Sequence, residues 1–313
     1  MSHSFERFGD IYQASIYGNR VYVIPAPAYV EHVLLTNWQN YIRKGYAIKR
    51  ISMLLGNGII SSNGEFWINQ RRMIQPAFTR KAVGSQTDVM IAANVELLEK
   101  WKNAARGRTS VNVTRDVSRM VLKVVLTAIF GADYATIAPH FEIVSEESRS
   151  LEFAQMFTTL GEVIVELATR RRRDNVAAAD ILGWIMQSRD RDHGAPMPDT
   201  QLAREIMTLI VAGHETTASV LNWTWYLLSR HPRVDARLAS EFDALPAGQA
   251  PAIENLANFP YSCQVIEEAM RLYPPLWLMT RRAMQDDQIG GYFVPAGTEI
   301  YISPYFLQRN PRF

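Results

Sequence analysis

The spacing of hydrophobic and polar positions changes character twice along this chain. Residues 9–24 alternate, with Tyr, Ile and Val enriched and a turn at Gly18-Asn19, which predicts two paired strands. Pro25 and Pro27 close the second strand, and a short helix follows through Val33-Leu34-Leu35. Gly56 to Gly64 reads as a glycine-rich loop. From Glu65 onward apolar residues recur every three or four positions, predicting helices over 65–75, 85–105, 115–130, 139–153, 158–173, 178–189, 199–230, 232–245 and 261–273. Pro232, following Ser229-Arg230-His231, stops the longest of these and starts the next. Past Pro274-Pro275 the pattern turns β-prone over 276–302, with turns at Asp286-Asp287, Gly290-Gly291 and Pro295-Ala296-Gly297. The expected fold is mainly α with a minor β-sheet built from both ends of the chain, and hence a single domain over 1–313.

The longest helix contains one stretch that packing alone does not explain, Ala212-Gly213-His214-Glu215-Thr216-Thr217. Gly213 in a helix interior costs roughly 1 kcal/mol relative to alanine. Thr216 and Thr217 can donate back to the carbonyls of Ala212 and Gly213, which bends a helix. His214 and Glu215 set two ionisable groups beside that weak point. A local rule broken once in an otherwise consistent helix marks a candidate functional site.

Composition narrows the classes. The chain has 313 residues, 48% hydrophobic and 20% charged, an ordinary globular balance with ample apolar residues for a core. A net charge of +2 gives no electrostatic reason to expect nucleic acid as a partner. The one cysteine, Cys263, allows no internal disulfide and fits a reducing compartment. No run of 18 apolar residues suggests a bilayer-spanning helix, and Met-Ser-His-Ser-Phe-Glu-Arg lacks a signal-peptide pattern.

Each motif has a plainer alternative. His214-Glu215 lacks the second histidine of a zinc protease, because position 218 is Ala. Gly56-Asn57-Gly58 begins a dinucleotide fingerprint, but Ser61 replaces its third glycine. Glu268 and Arg271 share a helix face; exposed, such a pair is worth a few tenths of a kcal/mol, whereas the flanking Ile266, Ala269, Met270 and Leu272 suggest burial. Trp67 and Arg71 also share a face, either as a carboxylate-binding indole and guanidinium or as a half-buried Trp beneath a snorkelling Arg. Arg170 to Arg173 read as a solvated helix end that complements the dipole, with a docking patch for an acidic partner as the alternative.

Taken in order, Trp67-x-x-x-Arg71, Ala212-Gly213-x-Glu215-Thr216-Thr217, Glu268-x-x-Arg271, Pro274-Pro275 and a small β region closely resemble the cytochrome P450 family of haem-thiolate monooxygenases. The resemblance covers nearly the whole chain. It implies oxygen-dependent hydroxylation with haem, O2 and NAD(P)H electrons delivered through a ferredoxin- or reductase-type partner. It places Ala212-Gly213 where the central helix opens to admit oxygen, with Gly213 leaving room beside Thr216. Glu215-Thr216 is the acid–alcohol pair that supplies protons for O–O cleavage. Thr217 is the less suited threonine, and His214 has no role. Trp67, Arg71 and Arg281 are implied to bind haem propionates, with Arg282 as the neighbouring alternative on the opposite face. Glu268 and Arg271 are implied to be a buried structural ion pair. Leu276-Trp277-Leu278-Met279 and a loop over 45–60 would line a pocket for a small apolar substrate. Residues 131–173 look brief for the family's pocket-roofing helix pair.

The family's axial cysteine, in a glycine-containing loop after the Glu-x-x-Arg helix, is expected beyond Phe313. An N-terminal helix is also expected to be missing, so the P450 fold would be incomplete at both ends. Cys263, expected to be semi-buried packing, is rejected as a substitute. The leading expectation is a fragment of a working monooxygenase. The alternatives are an inactive remnant acting at most as a binding module, and a peroxide-driven enzyme, against which Glu215-Thr216 argues. A soluble cytoplasmic location fits, with a membrane anchor ahead of residue 1 as the other possibility. Residues 1–313, loaded with haem, are expected to lack the thiolate signature in the reduced CO spectrum; its appearance would overturn the expectation that the chain stops short of its iron ligand.

Overall fold

Alternation at the start of the chain and β-prone runs at its end meet in one sheet. The computed structural model describes residues 9–16, 18–142, 151–243, 245 and 253–313. The strands are β1 (Tyr12–Ile16), β2 (Asn19–Val23), β3 (Tyr41–Ile42), β4 (Met279–Ala283), β5 (Asp287–Ile289), β6 (Tyr292–Val294) and β7 (Glu299–Ile302). Five of them order as β1-β2-β7-β4-β3, with β2 and β7 parallel and the other neighbours antiparallel. β5 and β6 form a separate hairpin. Two compact units result, residues 1–53 with 265–313 and residues 54–264.

In the first unit the two-residue period of β7 serves both faces of the sheet. Ile300 and Ile302 join Ile24, Val33, Tyr41, Ala283, Ile289 and Val294 in one apolar cluster. Tyr301 joins Val21 and Val23 in another. Asp287 knits the surrounding turns together. Its Oδ2 accepts from His32 Nε2 at 2.8 Å, Asn37 Nδ2 at 3.0 Å and the Tyr41 hydroxyl at 2.6 Å. Burial raises the Asp287 pKa, but these donors outweigh it and hold the carboxyl at about 2. The short helix expected through Val33-Leu34-Leu35 is the wide π-type turn His32–Thr36 that continues α1 (Pro27–Glu31). The expected loop over 45–60 is instead helical over α2 (Tyr46–Leu55).

The second unit is helical: α3 (Gly64–Ile74), α4 (Thr87–Arg106), α5 (Val113–Phe130), α6 (Leu151–Arg173), α7 (Ile181–Gln187), α8 (Asp199–Arg230) and α9 (Pro232–Glu241), followed by α10 (Pro260–Leu272). The longest predicted helix matches α8 at both ends. Of the predicted helix over 139–153, the described residues are helical, in the short helix Pro139–Glu142 and at the start of α6, and another short helix, Tyr134–Ile137, precedes them. Residues 143–150 lie outside the described residues, and 151–153 already belong to α6. The stretch Val113–Ile137 is long and apolar enough by length and composition alone to cross a membrane, although charged residues such as Lys123 and Asp133 interrupt it. Within the unit it is cored by α5, whose Val117 and Val121 pack on Ala218 of α8. The α5 residue Asp116 is buried against Lys100 Nζ at 2.5 Å and Trp101 Nε1 at 3.0 Å.

The Arg170–Arg173 run is a solvated helix end at Arg170 and Arg173, which are exposed, but not at Arg171. Arg171 is 3% exposed and donates to both carboxylate oxygens of Asp180 at 2.8 Å, to Asp133 at 2.8 Å and to the Phe130 carbonyl at 2.7 Å. Asp180 in turn accepts from the Gly183 N–H at 2.7 Å and starts α7, which is why that helix begins later than its apolar pattern. Arg170 pairs with Asp133, Arg172 with Asp199 and Arg173 with Asp174. A guanidinium whose donors all meet buried or internal acceptors is part of the core. Arg171→Ala would strand Asp180 as a buried charge and should cost about 3–5 kcal/mol in denaturant unfolding; a loss below about 1 kcal/mol would show the cluster to be dispensable.

Candidate functional site

The Ala212–Thr217 stretch divides by helix face. α8 is helical without a break through Gly213, so the expected local opening does not interrupt it. The back-bond is present: Thr216 Oγ1 donates to the Ala212 carbonyl at 2.6 Å. Gly213 turns toward α5, where a Cβ would stand 3.4 Å from Val125 Cγ2. Apart from the glycine's two chain neighbours and the local helix backbone, Val125 is the only neighbour within 4 Å of that position among the described residues. His214 faces the same way. Its Nε2 lies 3.1 Å from the Ser118 carbonyl and 3.0 Å from Ser118 Oγ. A carbonyl can only accept, so Nε2 carries the proton. Burial lowers the His214 pKa and favours the neutral ring. Glu215, Thr216 and Thr217 are exposed on the rest of the helix surface. A cavity of 1090 Å³ beside α5 is lined by Leu97, Ser118, Leu122, Tyr134 and His214, and neither Glu215 nor Thr216 reaches it.

α3 presents the second group. The Arg71 guanidinium carbon lies 5.2 Å from the centroid of the Trp67 ring, a cation–π contact at a partly exposed site. Arg71 itself is exposed, and Asn69 on the same helix donates to Asp190. Upstream, the loop 56–62 is held to α8 by Gln201 and Glu205. The Ile59 N–H donates to Glu205 Oε2 at 2.8 Å. Gln201 Nε2 donates to Glu205 Oε1 at 2.7 Å and to the Asn57 carbonyl at 2.9 Å. Glu205 is fully buried, and burial raises its pKa against the effect of these two donors. The sequence reading missed this pair. The available signal was two polar residues spaced i, i+4, Gln201 and Glu205, set among Leu202, Ala203, Ile206 and Met207.

In the sheet unit, Arg281 on β4 is half-buried and donates to the Thr280 carbonyl at 2.9 Å. Among the described residues it has no acidic partner, and burial lowers its pKa. Arg282 lies opposite Glu299 in the strand register. Glu268 and Arg271 form a two-pronged pair at 2.7 Å on each arm, and Arg271 also donates to the Gln308 carbonyl at 2.8 Å. The expected burial is not found: their side chains are 54% and 44% exposed. Ile266 and Met270 are exposed beside them, and only Ala269 of the flanking apolar residues is buried. Cys263, expected to be semi-buried, is exposed in the first turn of α10. Leu276 and Trp277 are more than half exposed.

Comparison with known proteins shows the family. The family model "Cytochrome P450" matches residues 1–157 and 147–313. Cyclooctatin synthase of Streptomyces melanosporofaciens is 30% identical over 98% of this chain and 71% of its own length. Cyclooctat-9-en-7-ol 5-monooxygenase of the same organism is 31% identical over 98% of this chain and 71% of its own. Pentalenene oxygenase of Streptomyces avermitilis is 29% identical over 98% and 72%. The solved structure of retinoic-acid-bound cyanobacterial CYP120A1 superposes with a TM-score of 0.83 at 25% identity, covering 99% of this chain and 72% of that one. The mainly helical fold with its small sheet is therefore a P450 fold. Because the space at Gly213 accepts a methyl group at ordinary contact distance, Gly213→Ala should stabilise the protein by about 1 kcal/mol in thermal unfolding. A lower melting temperature would show that α5 and α8 need the glycine to approach.

Proposed function

The chain belongs to the cytochrome P450 family, and we propose that it serves haem-dependent hydroxylation of an apolar organic substrate, using O2 and electrons from a redox partner. The observation that carries this assignment is the division of α8 by face. Gly213 and His214 are committed to Val125 and Ser118 of α5, while Glu215 and Thr216 stand exposed.

The residues present fit a haem. Propionates are carboxylates, and this chain offers an exposed guanidinium stacked on an indole at Arg71 and Trp67. It also offers a half-buried guanidinium without an acidic partner, among the described residues, at Arg281. We assign these three residues to the propionates. Haem, when bound, supplies oxygen activation. The protein's contribution at α8 is to hold and move protons. Thr216 Oγ can accept a proton from one side and donate one on the other. Its present donation to the Ala212 carbonyl anchors the hydroxyl on the helix surface. Glu215, next in sequence, is the acid that replenishes it. Glu268 and Arg271 keep a structural role.

For the substrate, the names of the relatives at about 30% identity, pentalenene oxygenase and cyclooctat-9-en-7-ol 5-monooxygenase, favour a terpene-type hydrocarbon skeleton. A ferredoxin- or reductase-type donor drawing on NAD(P)H, a soluble cytoplasmic setting and a single P450 domain over 1–313 complete the proposal. The alternative of an inactive binding module draws no support from the comparisons. In a full-length, haem-loaded form that turns over substrate, Thr216→Ala should leave oxygen consumption running while product per O2 falls. Unchanged coupling would remove Thr216 from the proton path.

A further inference from the structure

We infer that Glu205 is a positioning residue for the haem-carboxylate anchor: it ties the loop that feeds α3 to the first turns of α8, and so sets where Trp67 and Arg71 stand. The inference rests on the assignment of Trp67 and Arg71 to a haem propionate.

A fully buried carboxylate is an expensive choice for a helix that packs. A leucine would fill the position without desolvation. Glu205 has no basic partner among the described residues; its donors are the Ile59 N–H and the Gln201 side chain. What it supplies is two acceptor oxygens side by side. One takes a loop N–H. The other orients Gln201, whose amide then donates to the Asn57 carbonyl as well. Two backbone groups of one short loop, an N–H and a C=O, are thus satisfied by side chains one helical turn apart on α8.

The loop is shaped to lie flat on this pair. A Cβ at Gly58, between the two tied residues, would come within 2.3 Å of Thr208 Oγ1, so only glycine permits the approach. Gly56, with φ of +72°, lies against the Arg204 side chain. Beyond the tie, the Ser61 and Ser62 N–H groups donate to the Gly58 carbonyl at 3.0 and 2.9 Å. The chain then turns through Asn63 into α3. Little slack separates the Glu205 contact from Trp67. A second tie, Asn69 to Asp190, holds α3 further along.

Glutamine at 205 cannot replace the carboxylate. It has one acceptor and one donating amide, so either Ile59 or Gln201 meets an N–H. Turning the Gln201 amide over would set its oxygen against the Asn57 carbonyl. The test is amide hydrogen exchange over 56–74 in the full chain, followed by haemin affinity, for Glu205→Gln and for Arg71→Ala. Losing one buried bond should speed exchange at 56–62 and the first turn of α3 by about tenfold and weaken haemin binding by a similar factor. Gln201→Met, close in size, removes the Asn57 tie and the bond to Glu205 Oε1 while leaving the Ile59 bond in place, and should move both readouts in the same direction; it serves if Glu205→Gln does not fold. Unchanged exchange overturns the inference. Faster exchange with haemin affinity kept overturns it too, provided Arg71→Ala still weakens haemin; the anchor assignment then survives. If Arg71→Ala leaves haemin affinity unchanged, the anchor assignment fails and takes the inference with it.

Discussion

A polar group taken out of water must find its partner inside the protein, and the first half of α8 buries three such side chains, Gln201, Glu205 and Thr208. Thr208 turns back to the Arg204 carbonyl within the helix. Gln201 and Glu205 reach outward, and their partners are the backbone of the loop 56–62. The same rule governs Arg171, whose donors draw Phe130, Asp133 and Asp180 into one place at the ends of α5, α6 and α7. The apolar residues Leu202, Ile206 and Ile210 supply the area of this core. The polar residues decide its register, because they accept few arrangements while apolar contact tolerates many.

α8 therefore has two halves with different tasks. Its first half is buried and organises the scaffold. Its second half is packed along one stripe only, through His214, Ala218 and Leu221 toward α5. The remaining surface carries Glu215, Thr216, Trp223 and Tyr226, all exposed. The proposed proton-handling pair sits where the helix leaves the core, and the proposed anchor on α3 is reached through a loop held by the buried half. One helix thus bears on both parts of the candidate site within the helical unit.

Much of this was legible in the residues. The ends of α8, the early hairpin, the late strands and the junction at Pro232 all follow from period and from proline and glycine placement. Thr216's bond to Ala212 follows from spacing alone. Other features were not legible, for identifiable reasons. Periodicity shows that a residue faces inward but not what waits there, so Val125 beside Gly213 and Ser118 beside His214 were not foreseen. A run of four arginines looks solvated until Asp133 and Asp180, distant in sequence, supply acceptors. Apolar flanks suggested burial for Glu268 and Arg271, yet Ile266 and Met270 are exposed. Glu205 was passed over because one acidic residue in an apolar helix looks like an ordinary surface position. Its i, i+4 spacing from Gln201 was the overlooked cue.

We propose that the exposed surface of α8 and the Trp67–Arg71 face of α3 belong to one haem site, distinct from the cavity beside α5. The most direct measurement is amide hydrogen exchange of the chain with and without haemin. Such a site predicts slower exchange in α3 over 64–74 and around 212–217 of α8, with the α5 segment near Ser118 unchanged. Protection centred on Ser118, Leu122 and Tyr134, with α3 unaffected, would contradict it.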